Sequence, residues 1–295
     1  MNNTTDVQSM MIDEGFRITR VGITRVKKPI RIKRGERTID LFTTLDVFVD
    51  LPSTHRGSHM SRNAELINEI VDNSVREPVS GLEDLAEHIS RELLERHEYA
   101  NDAEAWLEAT YFRERKTPSG RSTLEPYKLL ARGRAKRNGN CTKMVGVEVL
   151  GMNACPCAME TMREVLKEEY PQHAEALDEI PVPTHNQRNV TTLMMEVPGQ
   201  SGLEADELID IVEEGMSTPN YEILKRRDEA AVVYNAHKNP RFVEDIVRKI
   251  LSLVLEKHPD LPDDTRVVVK SVAEESIHKH NALAERVTTL GELRA

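Results

Sequence analysis

The chain has 295 residues, with 40 Lys and Arg against 50 Asp and Glu, for a formal net charge of −10. That length suits two ordinary domains. The acidic balance, and an aromatic content of 4% with a single Trp, argue against a general nucleic-acid binder. Hydrophobic residues make up 39%, charged residues 31%, there are three cysteines, and no apolar run reaches membrane-spanning length. The expectation is a cytoplasmic protein with no disulfide framework and no membrane partner.

Residues 1–15 are polar and acidic and lack a basic region followed by an apolar core, so they read as a flexible tail, not a secretory signal. A strand is expected over 16–32, a turn at Gly35-Glu36, and a second strand over 38–51. In that strand Leu45, Val47, Val49 and Leu51 alternate with Asp46 and Asp50, and Pro52 ends it. A polar loop, His55 to Arg62, leads to a helix capped by Ser61 or Asn63, with Leu66, Ile67, Ile70 and Val71 on its apolar face. After Pro78, Ser80-Gly81-Leu82-Glu83 has the form of a capping box, and Leu82, Leu85, Ile89 and Leu93 carry a helix to about His97. Strands follow over 105–113 and 124–135.

Arg137-Asn138-Gly139-Asn140 is a polar break, after which the order strand, strand, helix, helix, strand, strand returns. Val145, Val147 and Val149 mark a strand running to Leu150. A charged helix is expected over 161–169 and a strand over 191–197. A second capping box at Ser201-Gly202-Leu203-Glu204 opens a helix through Val212. Asn239-Pro240 is expected to start a further helix, with proline at the tolerated first position and Val243, Ile246, Ile250 and Val254 buried. Strands over 265–272 and 284–290 close the chain. Basic residues cluster at Lys27 to Arg37, Arg113 to Arg121 and Arg132 to Arg137. Most read as solvated strand ends and hairpin tips, a minority as contacts to a phosphate-bearing ligand.

The chemistry concentrates after residue 150. Cys155-Pro156-Cys157 places two thiols at a strand end on a tether too short for an easy mutual disulfide. Metal ligand, nucleophile and buried small hydrophobe all stay open. Residues of ligand type recur at element ends: His185 before a strand, Asp228-Glu229 in a loop between helices, Glu244 at a helix start, and His278 and His280 between the last two strands. Thirty residues separate Cys155 from His185, and no second cysteine pair exists, which excludes a Cys-rich structural zinc site. One Cys, one His and one carboxylate around a position open to water would suit zinc, manganese or ferrous iron. His278 and His280 alternate, so a strand would point them to opposite faces.

Taken together, Cys155-Pro156-Cys157, His185-Asn186-Gln187-Arg188, Leu224-Lys225-Arg226 with Asp228-Glu229, Asn239-Pro240 with Phe242-Val243-Glu244-Asp245, and Glu275-Ser276-Ile277-His278 with His280 resemble the type IB GTP cyclohydrolases. His59-Met60-Ser61-Arg62 fits the same family, and the resemblance spans about residues 16–293. Val49-Asp50-Leu51-Pro52, Ala236-His237-Lys238 and Leu261-Pro262-Asp263-Asp264 look like its archaeal, ferrous-iron-dependent branch, which begins methanopterin synthesis. The resemblance implies an α+β protein with a tandem tunnelling fold. That fold is two ββααββ units, 16–137 and 138–295, with antiparallel sheets and helices on one face. It also implies a homotetramer with active sites at subunit interfaces.

The metal ligands it implies are Cys155, His185, Glu229 and His278, holding one Fe2+ per subunit, which Zn2+ or Mn2+ can replace. His278, His280 and Cys155 would act in catalysis. Glu244 would grip the guanine, and Arg62, Arg188 and His59 would hold the rest of GTP. The implied products are formate, pyrophosphate and 7,8-dihydroneopterin 2′,3′-cyclic phosphate, where bacterial members stop at the triphosphate. The alternatives are a deazaguanine nitrile reductase of the same fold, which needs a nucleophilic Cys but not His185 and Glu229 as ligands, and a non-catalytic purine- or pterin-binding module with a structural zinc.

Overall fold

The strands form where apolar and polar residues alternate, and the structure, a computed structural model, describes residues 6–11, 14–34, 37–199 and 202–295. Contacts group the chain into two units. Met1–Thr110, Leu129–Val145 and Glu196–Ser201 make the first; Tyr111–Lys128, Gly146–Met195 and Gly202–Ala295 make the second.

In the first unit, β1 (Ile18–Arg34) pairs antiparallel with β2 (Arg37–Leu51), which pairs antiparallel with the first half of β3 (Asp102–Lys116). β4 (Ser122–Lys136) enters this unit from Leu129 on. Leu45, Val47, Val49 and Leu51 are each no more than 2% exposed, because the two-residue period sends them all to one face. Two helices cover that face: α1 (Met60–Arg76) lies on β1, and α2 (Leu82–Arg96) on β2 and α1. Their buried stripes, Leu66, Ile67, Ile70 and Val71, then Leu85, Ile89 and Leu93, recur at helical spacing. Each fully buried Leu or Ile contributes roughly 1.5–3 kcal/mol. Gly133 of β4 lets α2 approach closely, since a Cβ there would stand 2.1 Å from the Ala86 carbonyl oxygen.

A buried polar chain fastens the loop before α1. His97 is fully buried; its Nε2 lies 2.6 Å from Asn63 Oδ1 and its Nδ1 2.9 Å from the Tyr99 hydroxyl, which in turn meets Ser58 Oγ at 2.8 Å. Burial, with the cations Arg62, His59 and Arg96 around it, pushes the His97 imidazole down from its usual 6.5 to about 4. The native state therefore holds the ring neutral where the unfolded chain protonates it. That contribution is complete above pH 6.5 and is lost as pH falls toward 4, about 3 kcal/mol in all. Urea denaturation across this range should show wild type losing stability more steeply than His97→Gln. Parallel pH dependences would show that His97 carries no such linkage.

The second unit contains most of β5 (Cys141–Ala154), then α3 (Pro156–Glu169), a 3-10 turn at Pro171–His173, α4 (Ala174–Glu179) and β6 (Asn186–Glu196). After these come α5 (Ala205–Gly215), β7 (Thr218–Pro219), α6 (Arg226–Lys238), α7 (Val243–Lys257), β8 (Arg266–Ala273), β9 (Ala282–Thr289) and α8 (Leu290–Arg294). β6 pairs antiparallel with β8, β8 with β9, and the short β7 with the end of β5. α7 packs on α5, β8 and β9 through Val243, Ile246, Ile250 and Val254, each 5% exposed or less. The element order ββααββ thus occurs twice, the second time interrupted by α3 and α4 and again by β7 and α6. The protein is α+β, with antiparallel sheets and helices.

Several local expectations are corrected. Pro240 does not start a helix: Asn239 ends α6, and α7 begins at Val243 after Phe242. The helix expected over 161–169 starts at Pro156, where proline occupies the first turn and its missing N–H costs nothing. α1 is preceded by His59, and Asn63, one of the expected caps, lies buried inside the helix on His97. Ser80 does not cap α2; Gly81 holds that position, and the Ser80 hydroxyl donates to Asp84. The Gly35-Glu36 turn, Ser201 of the second capping box, and residues 1–5, 12 and 13 of the expected tail lie outside the described residues. Among the described residues, no helix is long and apolar enough to cross a membrane.

Candidate active site

The candidate site lies where β5 ends and β6 begins. β5 stops at Ala154, Cys155 caps α3, and the Cys155 sulfur accepts from the Ala158 N–H at 3.5 Å. The positive end of that helix faces the sulfur. Two hydrogen bonds stitch Cys155 to the entry of β6: its N–H donates to the His185 carbonyl (3.1 Å), and the Thr184 hydroxyl donates to the Cys155 carbonyl (2.9 Å). Cys155 and His185, 30 residues apart in sequence, are thereby neighbours in space.

The His185 ring is held from behind. Its Nδ1 lies 3.1 Å from Gln187 Oε1, and Gln187 Nε2 donates to Glu275 Oε1 at 3.0 Å. An amide oxygen only accepts, so Nδ1 carries the hydrogen that meets it, and in the neutral ring this leaves Nε2 as the lone-pair atom. This orientation by an outer partner is what a ligating imidazole requires. Glu275 Oε2 stands 3.7 Å from the same Nδ1, beyond hydrogen-bond reach, and has no hydrogen-bond partner among the described residues. Asn153 Oδ1 is likewise buried and unpaired, while its Nδ2 donates to the Arg241 carbonyl at 3.5 Å. Buried acceptors are normally satisfied, so these two mark a place equipped to receive hydrogen donors.

Both line one cavity of about 230 Å³, together with Cys155, His185, Gln187, Glu244, His278 and His280. Phe242 and Val243 supply its apolar wall. Glu244 projects from the first turn of α7, where Asp245 accepts the Phe242 N–H at 3.1 Å and so fixes the start of the helix. The expectation that His278 and His280 face opposite ways is overturned. They lie in the loop between β8 and β9, and their rings stack 5.1 Å apart at an interplanar angle of 13°. Strand alternation does not apply to a loop, which can fold both rings to one side. His278 also meets His185 edge-on, with ring centroids 6.3 Å apart.

The other expected site residues are elsewhere. Glu229 is not in a loop but in the first turn of α6; it is exposed and does not line the cavity. Arg188 is exposed on β6. His59 and Arg62 belong to the first unit: His59 Nε2 lies 3.2 Å from the Asp6 carboxylate, and Arg62 donates to the Arg96 carbonyl at 2.7 Å. Among the described residues, no three His, Cys, Asp or Glu side chains gather at metal-binding spacing. Many of the clustered basic residues expected to be solvated are paired within their own unit: Arg113 with Asp210 at 2.8 Å, Arg132 with Glu104 at 3.1 Å, and Arg115 with Glu213.

Sequence reasoning did not assign Asn153, Gln187 or Glu275. A signal for Gln187 was present, since residues 185 and 187 share a face wherever the chain is extended.

The fold is that of a uricase from Arthrobacter globiformis, with a TM-score of 0.52 at 8% identity over 92% of this chain and 93% of that one. A urate oxidase mutant from Bacillus sp. TB-90 is similar, with a TM-score of 0.51 at 11% identity over 93% and 99%. These likenesses define a tunnelling-fold protein. The family model described as Type I GTP cyclohydrolase folE2 matches residues 4–284, and the chain belongs to that family. It is 46% identical to a GTP cyclohydrolase MptA of Methanosphaera stadtmanae, over 98% of this chain and 96% of the relative. It is 41% identical to one of Methanocaldococcus jannaschii, over 100% and 98%.

Proposed function

We propose that this chain is a cytoplasmic GTP cyclohydrolase that opens the guanine imidazole ring at C8 with a ferrous ion and begins methanopterin synthesis. The observation that carries the reading is the meeting, in one cavity, of a thiol, an imidazole oriented through Gln187 and Glu275, two stacked histidines and a carboxylate at a helix start. The donor chemistry fits a divalent transition ion: a sulfur and an Nε2 lone pair suit ferrous iron or zinc. Cys155 and His185 would hold it, with His278 beside them; Glu229, the carboxylate ligand that the resemblance implies, stands outside this cavity. When bound, such an ion lowers the pKa of water and so supplies a nucleophile at neutral pH.

The chain's own residues do the rest. Glu244 accepts from guanine N1–H and the exocyclic amine together, which orients the five-membered ring. His278 brings a proton to the purine nitrogen as the bond from C8 opens, and the ring stacked on it, His280, holds the imidazole in place. The unpaired oxygens of Asn153 and Glu275 receive hydrogen donors in the same cavity. Arg62, Arg188 and His59 hold the triphosphate, contributed across the interfaces of a homotetramer. The products in this reading are formate, pyrophosphate and dihydroneopterin 2′,3′-cyclic phosphate.

The test is an anaerobic assay of GTP with added ferrous iron, following pterin fluorescence, formate and phosphate products. Formate with a cyclic phosphate supports the whole reading, and formate with an intact triphosphate corrects the product. Tight GTP binding without formate release would leave only a binding module.

A further inference from the structure

His237, in the last turn of α6, takes no part in the chemistry above, yet it touches the peptide that leads into His185. Its Nδ1 lies 2.7 Å from the Val233 carbonyl oxygen, one helical turn back, and its Nε2 lies 3.3 Å from the Thr184 carbonyl oxygen. Carbonyl oxygens only accept, so the ring N–H meets Thr184 when the hydrogen is on Nε2 and Val233 when it is on Nδ1. The Thr184 that receives this bond also ties its hydroxyl to the Cys155 carbonyl at 2.9 Å, and the next residue, His185, accepts from the Cys155 N–H at 3.1 Å. The Thr184–His185 peptide is thus held from both sides, by Cys155 on one and by α6 on the other.

We propose that His237 is a positioning residue that locks α6 to the Thr184–His185 peptide, and so holds His185 in place beside Cys155. The inference rests on the metal-site reading above. It assigns His237 no contact with substrate or metal. Its effect is on how well a site built from three distant segments is preorganised, where loss of an outer partner commonly weakens metal binding 10–100-fold.

The probe is Zn2+ alone, titrated into metal-free protein against a chromophoric chelator, with thermal unfolding of each metal-free protein run in parallel. His237→Ala is expected to weaken Zn2+ binding about tenfold or more while the metal-free protein unfolds as wild type does. His237→Gln, whose amide nitrogen reaches toward the Thr184 carbonyl, recovers most of the affinity, and the shorter His237→Asn does not. Should the alanine variant fail to fold, the comparison of Gln with Asn decides. Equal Zn2+ affinity in wild type and His237→Ala, or equal affinity in the Gln and Asn variants, overturns the positioning role alone. Equal Zn2+ affinity in wild type and Cys155→Ala overturns the metal reading, and this inference falls with it.

Discussion

Cys155→Ala is expected to remove both the bound metal and GTP turnover, with activity falling by on the order of 10³ or more, since the proposed reading makes this sulfur a ligand of the ion that would activate water. The neighbouring Cys157→Ala is expected to keep its metal. The two thiols differ by position: Cys155 caps α3 beside His185 and lines the cavity, whereas Cys157 is exposed on the helix and does not line it. Because Cys155 accepts only a weak bond from Ala158, its side chain can be shortened at little cost to the fold. Metal analysis on both purified variants, alongside GTP turnover, separates the cases. A Cys155→Ala protein that retains a full complement of metal would refute the assignment of this sulfur.

Glu244→Ala is expected to leave metal content untouched and to weaken GTP binding. A carboxylate receiving two N–H donors contributes roughly 3 kcal/mol, on the order of a hundredfold in affinity. The variant should also lose discrimination between GTP and inosine triphosphate, because the amine that distinguishes them no longer meets an acceptor. Glu244 is exposed at the start of α7, so thermal stability should be little changed. Nucleotide binding equal to wild type, or discrimination against inosine triphosphate that survives the substitution, would rule out the anchoring role.

Both predictions depend on where three segments of chain meet. The stitching of Cys155 to Thr184 and His185, together with the Gln187–Glu275 support behind the His185 ring, makes the site a property of the β5, β6 and β8 ends. His237, near the end of α6, bonds the carbonyl that precedes His185 and so acts on the position of that residue in the proposed reading. The interruption by α3 and α4 leaves the positions of Cys155 and His185 unchanged because their backbones bond directly to each other. The apolar residues of the excursion remain largely outside any core: Met159 is the only buried residue of α3, and α4 has none.

The sequence by itself determined the alternation of Leu45, Val47, Val49 and Leu51, the buried stripes of α1, α2 and α7, and the repeated ββααββ order. Each of these is a local pattern, set by where successive side chains point along a strand or around a helix. Its combined motifs also marked Cys155, His185, Glu244, His278 and His280, and all five line one cavity. Only the tertiary structure decided how those residues meet. The stacking of His278 on His280 follows from a loop conformation that no periodicity encodes. The burial of the Asn153 and Glu275 oxygens without a hydrogen-bond partner among the described residues depends on how distant segments pack. The helical state of 226–238, the start of α7 beyond Pro240 and the low pKa of His97 likewise arise from packing between residues distant in sequence. Local propensity constrains each segment on its own, whereas hydrogen bonds and burial between segments are fixed only when the chain has closed on itself.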